Sequence, residues 1–507
     1  MNTERENIQM KNVLEYLELA QKKYPDKIAI AYEQNRYTYK ELTDTARKIG
    51  SVLKRDGCQG KPVGVIAGRG IETLAFFFGV LYSGNFYVPI DPDLAPAKLQ
   101  AMIDDSQFST ILETKMEESI LTQVNFSGRR LTMEDCLDAG VTDGGIPDTG
   151  NDDPCYMVYT SGSTGKPKGV LKSHGAVISY IEAYVKTFDF SEDEVIGNQT
   201  PFFFDASAKD IYLLVKLGCT MEILPSKLFS LPPELMDYLN EKKVTFASWV
   251  PTALSLVATL NPFTMVKPET LRKVFFVGEV MPMKHLNTWR KYLPDIQYVN
   301  LYGSSEIAGI CCYYEVKGEF QNDQVLPMGK ALGNCRIYLL DKDEVVKEPN
   351  RVGEMYLVSP ALALEYYHDP EKTAASFQVK DFGEGPVRCF KTGDLASFNE
   401  EGSLIFAART DFQIKHMGRR IELGEIESVA GSLPEINRCC CLYNAPRKKI
   451  VLFCQLAEGE EKTGQQIRSI LRDKLSSYML PGKVNIMESL PINKNGKIDR
   501  QALKALL

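Results

Sequence analysis

No Cys-x-x-Cys pair occurs in these 507 residues and there are only four histidines, so the usual zinc-holding clusters are missing. No stretch approaches the ~18 uninterrupted apolar residues of a membrane-spanning helix, and no membrane partner is expected. The N-terminus, Met1-Asn-Thr-Glu-Arg-Glu-Asn7, is polar and of mixed charge, without the apolar core of a secretory signal. The cytoplasm is therefore the expected location. Positive charge is not in excess: 59 Lys and Arg face 66 Asp and Glu, a net −7, which argues against general nucleic-acid binding. Two familiar phosphate motifs are also absent. Lys166 is followed by Pro167, with no glycine at the upstream distance a P-loop needs, and Gly162 and Gly165 lack the preceding glycine of the dinucleotide fingerprint. Internal repeats and low-complexity segments are missing too.

What is present is the composition of a globular protein, 44% hydrophobic and 25% charged, in a chain too long for one core. Two or more domains are expected. The first ~410 residues alternate helical and short β-like patterns, which predicts α/β sheets: helix over 12–24, strand over 27–32, helix over 41–54, strand over 63–67. Residues 145–154 read as a polar surface connection. Twelve cysteines are scattered, with Cys311-Cys312 and Cys439-Cys440-Cys441 in apolar runs, as buried reduced thiols are. Residues 411–507 carry 16 basic against 11 acidic side chains, the rest 43 against 55. A small basic lid on an acidic body suits closure over a polyphosphate; ordinary charge scatter is the other reading.

The most informative stretch is Tyr159-Thr-Ser-Gly-Ser-Thr-Gly-Lys-Pro-Lys-Gly-Val170. Thr160 to Gly165 are all hydroxyl-bearing or glycine, two lysines follow, and the apolar run 156–159 before them reads as a buried strand. Small residues let backbone N–H groups turn toward an anion, hydroxyls add donors, and lysines add charge. The alternative is a flexible Ser/Gly loop. This segment closely resembles the phosphate loop of the adenylate-forming superfamily, which includes acyl-CoA synthetases, luciferases and adenylation domains of nonribosomal peptide synthetases. Further matches follow in family order: Tyr37-Thr-Tyr-Lys-Glu-Leu42, Tyr82-Ser-Gly-Asn-Phe-Tyr-Val-Pro-Ile-Asp91, Phe204-Asp-Ala-Ser207, Asn300-Leu-Tyr-Gly-Ser-Ser-Glu306, Phe390-Lys-Thr-Gly-Asp-Leu395, Arg409-Thr-Asp-Phe-Gln-Ile-Lys415, Gly418-Arg-Arg-Ile-Glu-Leu-Gly-Glu425 and Asn495-Gly-Lys-Ile-Asp-Arg500. Any one could be chance; all in order could not.

The resemblance implies the site. Thr160, Ser161, Gly162, Ser163, Thr164, Gly165 and Lys168 would hold the phosphates of ATP, with Asn300, Gly303 and Ser305 completing the nucleotide site. Tyr302 offers a flat face to adenine, Asp394 accepts from the ribose hydroxyls and Arg409 reinforces it. Glu306, with Thr164 a weaker second, would take Mg²⁺, a hard cation that uses one or two carboxylates plus phosphates. The family's usual Gly-Pro-Thr-Glu is here Gly303-Ser304-Ser305-Glu306, keeping the hydroxyl and losing proline's rigidity. Lys497 would bridge the substrate carboxylate and the α-phosphate, offsetting the repulsion of two anions. Asp411 matches the hinge between a core of 1–409, made of two α/β sheet subdomains and a β-rich part, and a small mobile α+β lid of 411–507.

Asp205 decides the substrate class, because in amino-acid-activating members this aspartate pairs with the α-ammonium. Members acting on fatty or aryl acids lack it, since it would be unpaired there. Spacing from these anchors aligns the side-chain pocket to Ala206, Lys209, Ser248, Phe275, Val277, Leu301, Gly309 and Ile310. Lys209 either points into solvent or faces the pocket and selects a side-chain acceptor. The resemblance thus implies an ATP- and Mg²⁺-dependent ligase that adenylates an amino acid. It would then pass the acyl group to a phosphopantetheine thiol on a separate carrier protein or on coenzyme A, since only seven residues follow Arg500. D-alanyl carrier protein ligase is the nearest alternative, disfavoured by Lys209 and Phe275. An acyl- or aryl-CoA synthetase is the second, disfavoured by Asp205.

Overall fold

The computed structural model describes residues 10–55, 57, 59–114, 119–138, 145–160, 167–409, 413–492 and 498–507. Six parallel strands form the middle of the largest sheet, in the order Gln297–Tyr302, Lys273–Val277, Phe246–Trp249, Val195–Asn198, Thr220–Ile223 and Ile28–Tyr32. Cys312–Glu315 with Lys330–Ala331 at one edge and Asn35–Thr38 at the other run antiparallel. A second, seven-stranded sheet has the order Glu365–Tyr366, Lys168–Ser173, Pro154–Thr160, Phe86–Ile90, Pro62–Ile66, Thr110–Leu112, Arg129–Leu131. Its first three members pair antiparallel and the rest parallel. Pro62–Ile66 and Phe86–Ile90 are buried at every position, as strands covered on both faces must be.

One hydrophobic core joins both sheets to the helices between them, with Ile30, Ile196 and Met221 from one sheet, Val63, Tyr87 and Val158 from the other. Helix Tyr39–Lys54 starts where Thr38 caps it, the Thr38 side chain accepting from the Glu41 N–H and Glu41 reaching back. It lies tight against helix Glu72–Tyr82. A Cβ on Gly50 would stand 2.6 Å from Tyr82 Cβ, and one on Gly79 2.5 Å from Ile49 Cβ, so both contacts exist only without side chains. The β-rich part is a wholly antiparallel six-stranded sheet between Arg336 and Arg409.

Beyond it, strands Gln413–His416 and Arg419–Glu422 form a hairpin whose tip residues Met417 (φ 53°) and Gly418 (φ 75°) are both left-handed, the twist a two-residue hairpin turn demands. A three-stranded sheet of Ile436–Asn444, Lys449–Leu456 and Lys483–Ile486, with helices Leu423–Gly431 and Gly464–Arg472, has a small core of its own around Ile426, Leu452 and Ile467. The expected α/β class, with a large N-terminal part and a small C-terminal one, is what is found. Expected elements recur as Leu14–Lys23, Ile28–Tyr32, Tyr39–Lys54 and Pro62–Ile66.

Candidate functional site

A cleft opens at the C-terminal ends of the parallel strands, where ligands bind in open α/β sheets. It is lined by Val158 to Thr160, Phe203 to Ala206, Lys209, Val277, Gly278, Tyr302 to Ser305, Gly309, Ile310, Asp394 and Arg409. Gln413 to Lys415, Gly418 to Arg420 and Tyr478 close it from the C-terminal side.

Strand register builds the first group. Asp394, in strand Pro386–Phe398, sits opposite Arg409 of strand Leu404–Arg409, whose guanidinium donates to Asp394 Oδ1. The Tyr302 hydroxyl donates to Asp394 Oδ2, and the Asp394 N–H to Thr392 Oγ1 at 3.0 Å. Burial, then the Asp394 charge, pushes the Tyr302 phenol well up, so it remains a donor. Tyr302, Asp394 and Arg409 are thus brought together as expected. Asn300 is not: its Nδ2 donates to Pro327 O at 2.8 Å, outside the cleft lining. Thr160 lines the cleft with Oγ1 buried and unpartnered among the described residues.

Glu306 is fully buried and surrounded by donors. Lys168 Nζ lies 3.0 Å and Tyr366 Oη 2.8 Å from Oε1, while Arg420 Nη1 reaches Oε1 at 2.9 Å and Oε2 at 2.7 Å. Burial raises this carboxyl, but Arg420 and Lys168 outweigh it and hold Glu306 well below the usual carboxylate range. Burial brings the Lys168 ammonium down to about 8, Glu306 partly opposing. At 3.0 Å from Glu306 Oε1, the Lys168 ammonium turns inward, and Lys168 stands outside the cleft lining. Among the described residues no group of three or more His, Cys, Asp or Glu is placed to hold a metal.

Of the residues expected to form the substrate pocket, Asp205, Ala206, Lys209, Val277, Gly309 and Ile310 line the cleft. Ser248, Phe275 and Leu301 stand behind it. Phe275 lies two residues deeper than Val277 on its strand, within a cluster of Tyr184, Phe188, Phe190 and Phe246. Ser248 is its register partner, and Leu301 joins the same core. Lys209 does not reach solvent. It is 2% exposed, ion-paired to Asp210 at 3.1 Å and donates to Ala206 O at 3.0 Å and Ser248 O at 3.4 Å. Its charge is thereby matched before any substrate arrives. Behind Asp205, Lys172 Nζ is ion-paired to Oδ1.

Sequence reasoning assigned no role to Lys172, nor to the hairpin's cations. Lys415 lies 4.9 Å from the Tyr302 ring centre, and Arg419 stacks 3.8 Å from Tyr478 and 4.4 Å from Phe204. The tip inserts so closely that a Gly418 Cβ would meet Val250 Cγ1 at 2.6 Å, and the Gly418 N–H donates to Glu279 Oε1 at 2.9 Å. Nearby, Lys98 pairs with the buried Glu425 at 2.6 Å. A legible signal existed for Lys172: it stands at i+4 from Lys168 in a strand and so shares its face. Ser161, Gly162, Ser163, Thr164, Gly165, Asp411 and Lys497 lie outside the described residues. No described helix is long and apolar enough to cross a membrane.

Residues 17–367 match the family described as AMP-binding enzyme, and residues 425–497 match the AMP-binding enzyme C-terminal domain. The chain is 30% identical over 501 residues to tyrocidine synthase 1 of Brevibacillus parabrevis, covering 98% of this chain and 45% of that protein. It spans less than half the length of the curated relatives it first matches. A TM-score of 0.85 relates it to holo-PA1221, an NRPS protein containing adenylation and PCP domains, at 22% identity over 98% of this chain and 84% of that one. A TM-score of 0.84 relates it to o-succinylbenzoate CoA synthetase from Bacillus subtilis, at 21% identity over 98% of each chain. At such identities the structural likeness is one of fold.

Proposed function

Since the chain belongs to the AMP-binding enzyme family and is thereby an adenylate-forming ligase, we propose that it activates an amino acid as its aminoacyl-adenylate. The thiol of a phosphopantetheine on a separate carrier protein then attacks the adenylate carbonyl and AMP leaves, after the small C-terminal part rotates about a hinge near 410–411. The carrying observation is Asp205, a carboxylate in the cleft wall with Oδ2 unpartnered among the described residues. An ammonium donating there makes a charge-assisted hydrogen bond that fixes the reacting carboxylate's orientation.

Tyr302 gives adenine a flat wall. Asp394, held by Tyr302 and Arg409, meets the ribose hydroxyls with both oxygens preoriented. The donor chemistry of Glu306 fits Mg²⁺, but its two oxygens hold Arg420 here, so ion and guanidinium exclude each other. When bound, Mg²⁺ would be held by Glu306 and Thr164 and would supply charge against the phosphates. Lys497 would add an ammonium against the same charge. The arrangement described, with Arg420 on Glu306 and the hairpin tip in the cleft, suits the thioester-forming stage, and rotation of the lid would exchange it for the adenylating one.

Pyrophosphate exchange into ATP, measured across the twenty L-amino acids, D-alanine and a set of fatty and aryl acids, tests this. Exchange with an amino acid is expected. Exchange with fatty or aryl acids alone would refute the role given to Asp205, and exchange with D-alanine alone would select the D-alanyl carrier protein ligase reading.

A further inference from the structure

Lys172 lies in strand Lys168–Ser173 with no exposed surface. Its ammonium is ion-paired to Asp205 Oδ1 and lies 3.2 Å from the Tyr156 hydroxyl, which donates to the same oxygen at 3.0 Å. The surroundings are apolar and aromatic: Tyr156 stacks between Tyr87 at 5.4 Å and Tyr212 at 6.2 Å. Only Asp205 Oδ2 is left for the cleft. Burial draws the lysine's titration down and the aspartate's up, each charge opposing the shift of the other.

A lone carboxylate in a pocket wall enforces an ammonium on its ligand, because a ligand without one strands the charge. Here the carboxylate is never stranded, since its counter-charge is part of the protein. The pair is neutral as a unit, and an incoming ammonium would feel the Lys172 charge just behind the one it approaches. What Asp205 Oδ2 still asks for is a hydrogen-bond donor, which a neutral hydroxyl supplies.

We infer that Lys172 is a specificity-determining residue: by neutralising Asp205 from behind the pocket wall it relaxes the demand for an α-ammonium, and the site also activates α-hydroxy acids. This rests on the adenylation proposed above. The reaction is unchanged in form. A carboxylate oxygen of the acid bonds to the α-phosphorus of ATP, the bond from that phosphorus to the bridging oxygen breaks, and pyrophosphate leaves with the electron pair.

The test compares matched pairs, such as leucine with 2-hydroxyisocaproate, valine with 2-hydroxyisovalerate and glutamate with 2-hydroxyglutarate, by enzyme-coupled pyrophosphate release. In the wild type, kcat/KM for the better-used pair should differ by less than about tenfold. In Lys172→Met the ratio of amino to hydroxy acid should rise at least a hundredfold, a change of substrate preference that mere loosening of the fold does not produce. Should that variant fail to fold, Lys172→Met/Asp205→Asn removes both charges together and should favour the hydroxy acid. A wild type that prefers the amino acid by more than about tenfold overturns the inference and leaves adenylation standing, as does an unchanged ratio in folded Lys172→Met. Pyrophosphate release with no acid of either kind overturns both.

Discussion

Glu306→Gln offers a direct measure of the buried charge cluster. At 3.0 Å and an effective dielectric of about 20, the Lys168–Glu306 attraction alone is about 5.5 kcal/mol before desolvation is subtracted. Removing one partner of a buried pair costs about 3–5 kcal/mol, because the other charge is left without compensation. Here two cations, Lys168 and Arg420, would face each other across a neutral amide. With an unfolding entropy of ~2.1 cal/mol/K per residue, 507 residues give about 1.1 kcal/mol/K, so Tm should fall by about 3–5 °C. Lys168→Met should cost less, about 2 kcal/mol, since Glu306 keeps Arg420. The double variant should then be milder than the sum by about 2 kcal/mol, the signature of contact between the two. Scanning calorimetry of the four proteins in chelator-treated buffer reads all of this. A Glu306→Gln Tm within about 1 °C of wild type, or strictly additive variants, would refute the cluster as a source of stability.

Two further outcomes are expected. Lys98→Met strands Glu425, 1% exposed, whose carboxyl burial already raises against the pull of Lys98, and should lower hydrogen-exchange protection across helix Leu423–Gly431, with Lys98→Met/Glu425→Leu restoring it. Unaltered protection in the single variant would show that the pair contributes nothing to docking. Burial draws the His174 imidazole down from 6.5 to about 4, so the unfolded chain takes up a proton first as pH falls and stability drops between those values. The loss at pH 4 is about 3 kcal/mol, and His174→Gln should flatten the pH dependence of Tm by about 3 °C. Parallel profiles for the two proteins would mean that His174 is protonated in the folded state.

The end of the cleft proposed to hold the nucleotide was legible because its residues come as contiguous strings. Tyr302 and Asp394 are strand residues whose motif carries both identity and position, and register then joins Asp394 to Arg409. The end proposed for the substrate was legible only in part, because spacing names a position but not its depth. Phe275 and Val277 share a strand face, yet only Val277 reaches the strand end where the cleft opens. Lys209 was equally ambiguous: helical spacing places its Cα, while the carbonyl of Ser248 and the carboxylate of Asp210 decide where its ammonium goes. Arg420 and Lys172 act through partners more than thirty residues away, Glu306 and Asp205; strand spacing gives the face of Lys172 but not its partner, and no local pattern announces that of Arg420. The sheets themselves were foreseeable from alternation of apolar runs. The six-stranded antiparallel part was foreseen only through the family.

Gly309 has a consequence for how this pocket can change. It is left-handed, at φ 84°, and a Cβ there would stand 2.2 Å from the Tyr180 ring, whose hydroxyl is itself buried without a partner among the described residues. One wall of the pocket is therefore bare backbone backed by an immovable ring, and no single substitution at 309 can narrow it without unseating a core tyrosine. Drift in the proposed substrate choice is thereby channelled to the neighbouring lining side chains Ala206, Val277 and Ile310. A library randomised at those three positions should yield folded enzymes of altered preference, whereas one randomised at 309 should return glycine almost alone.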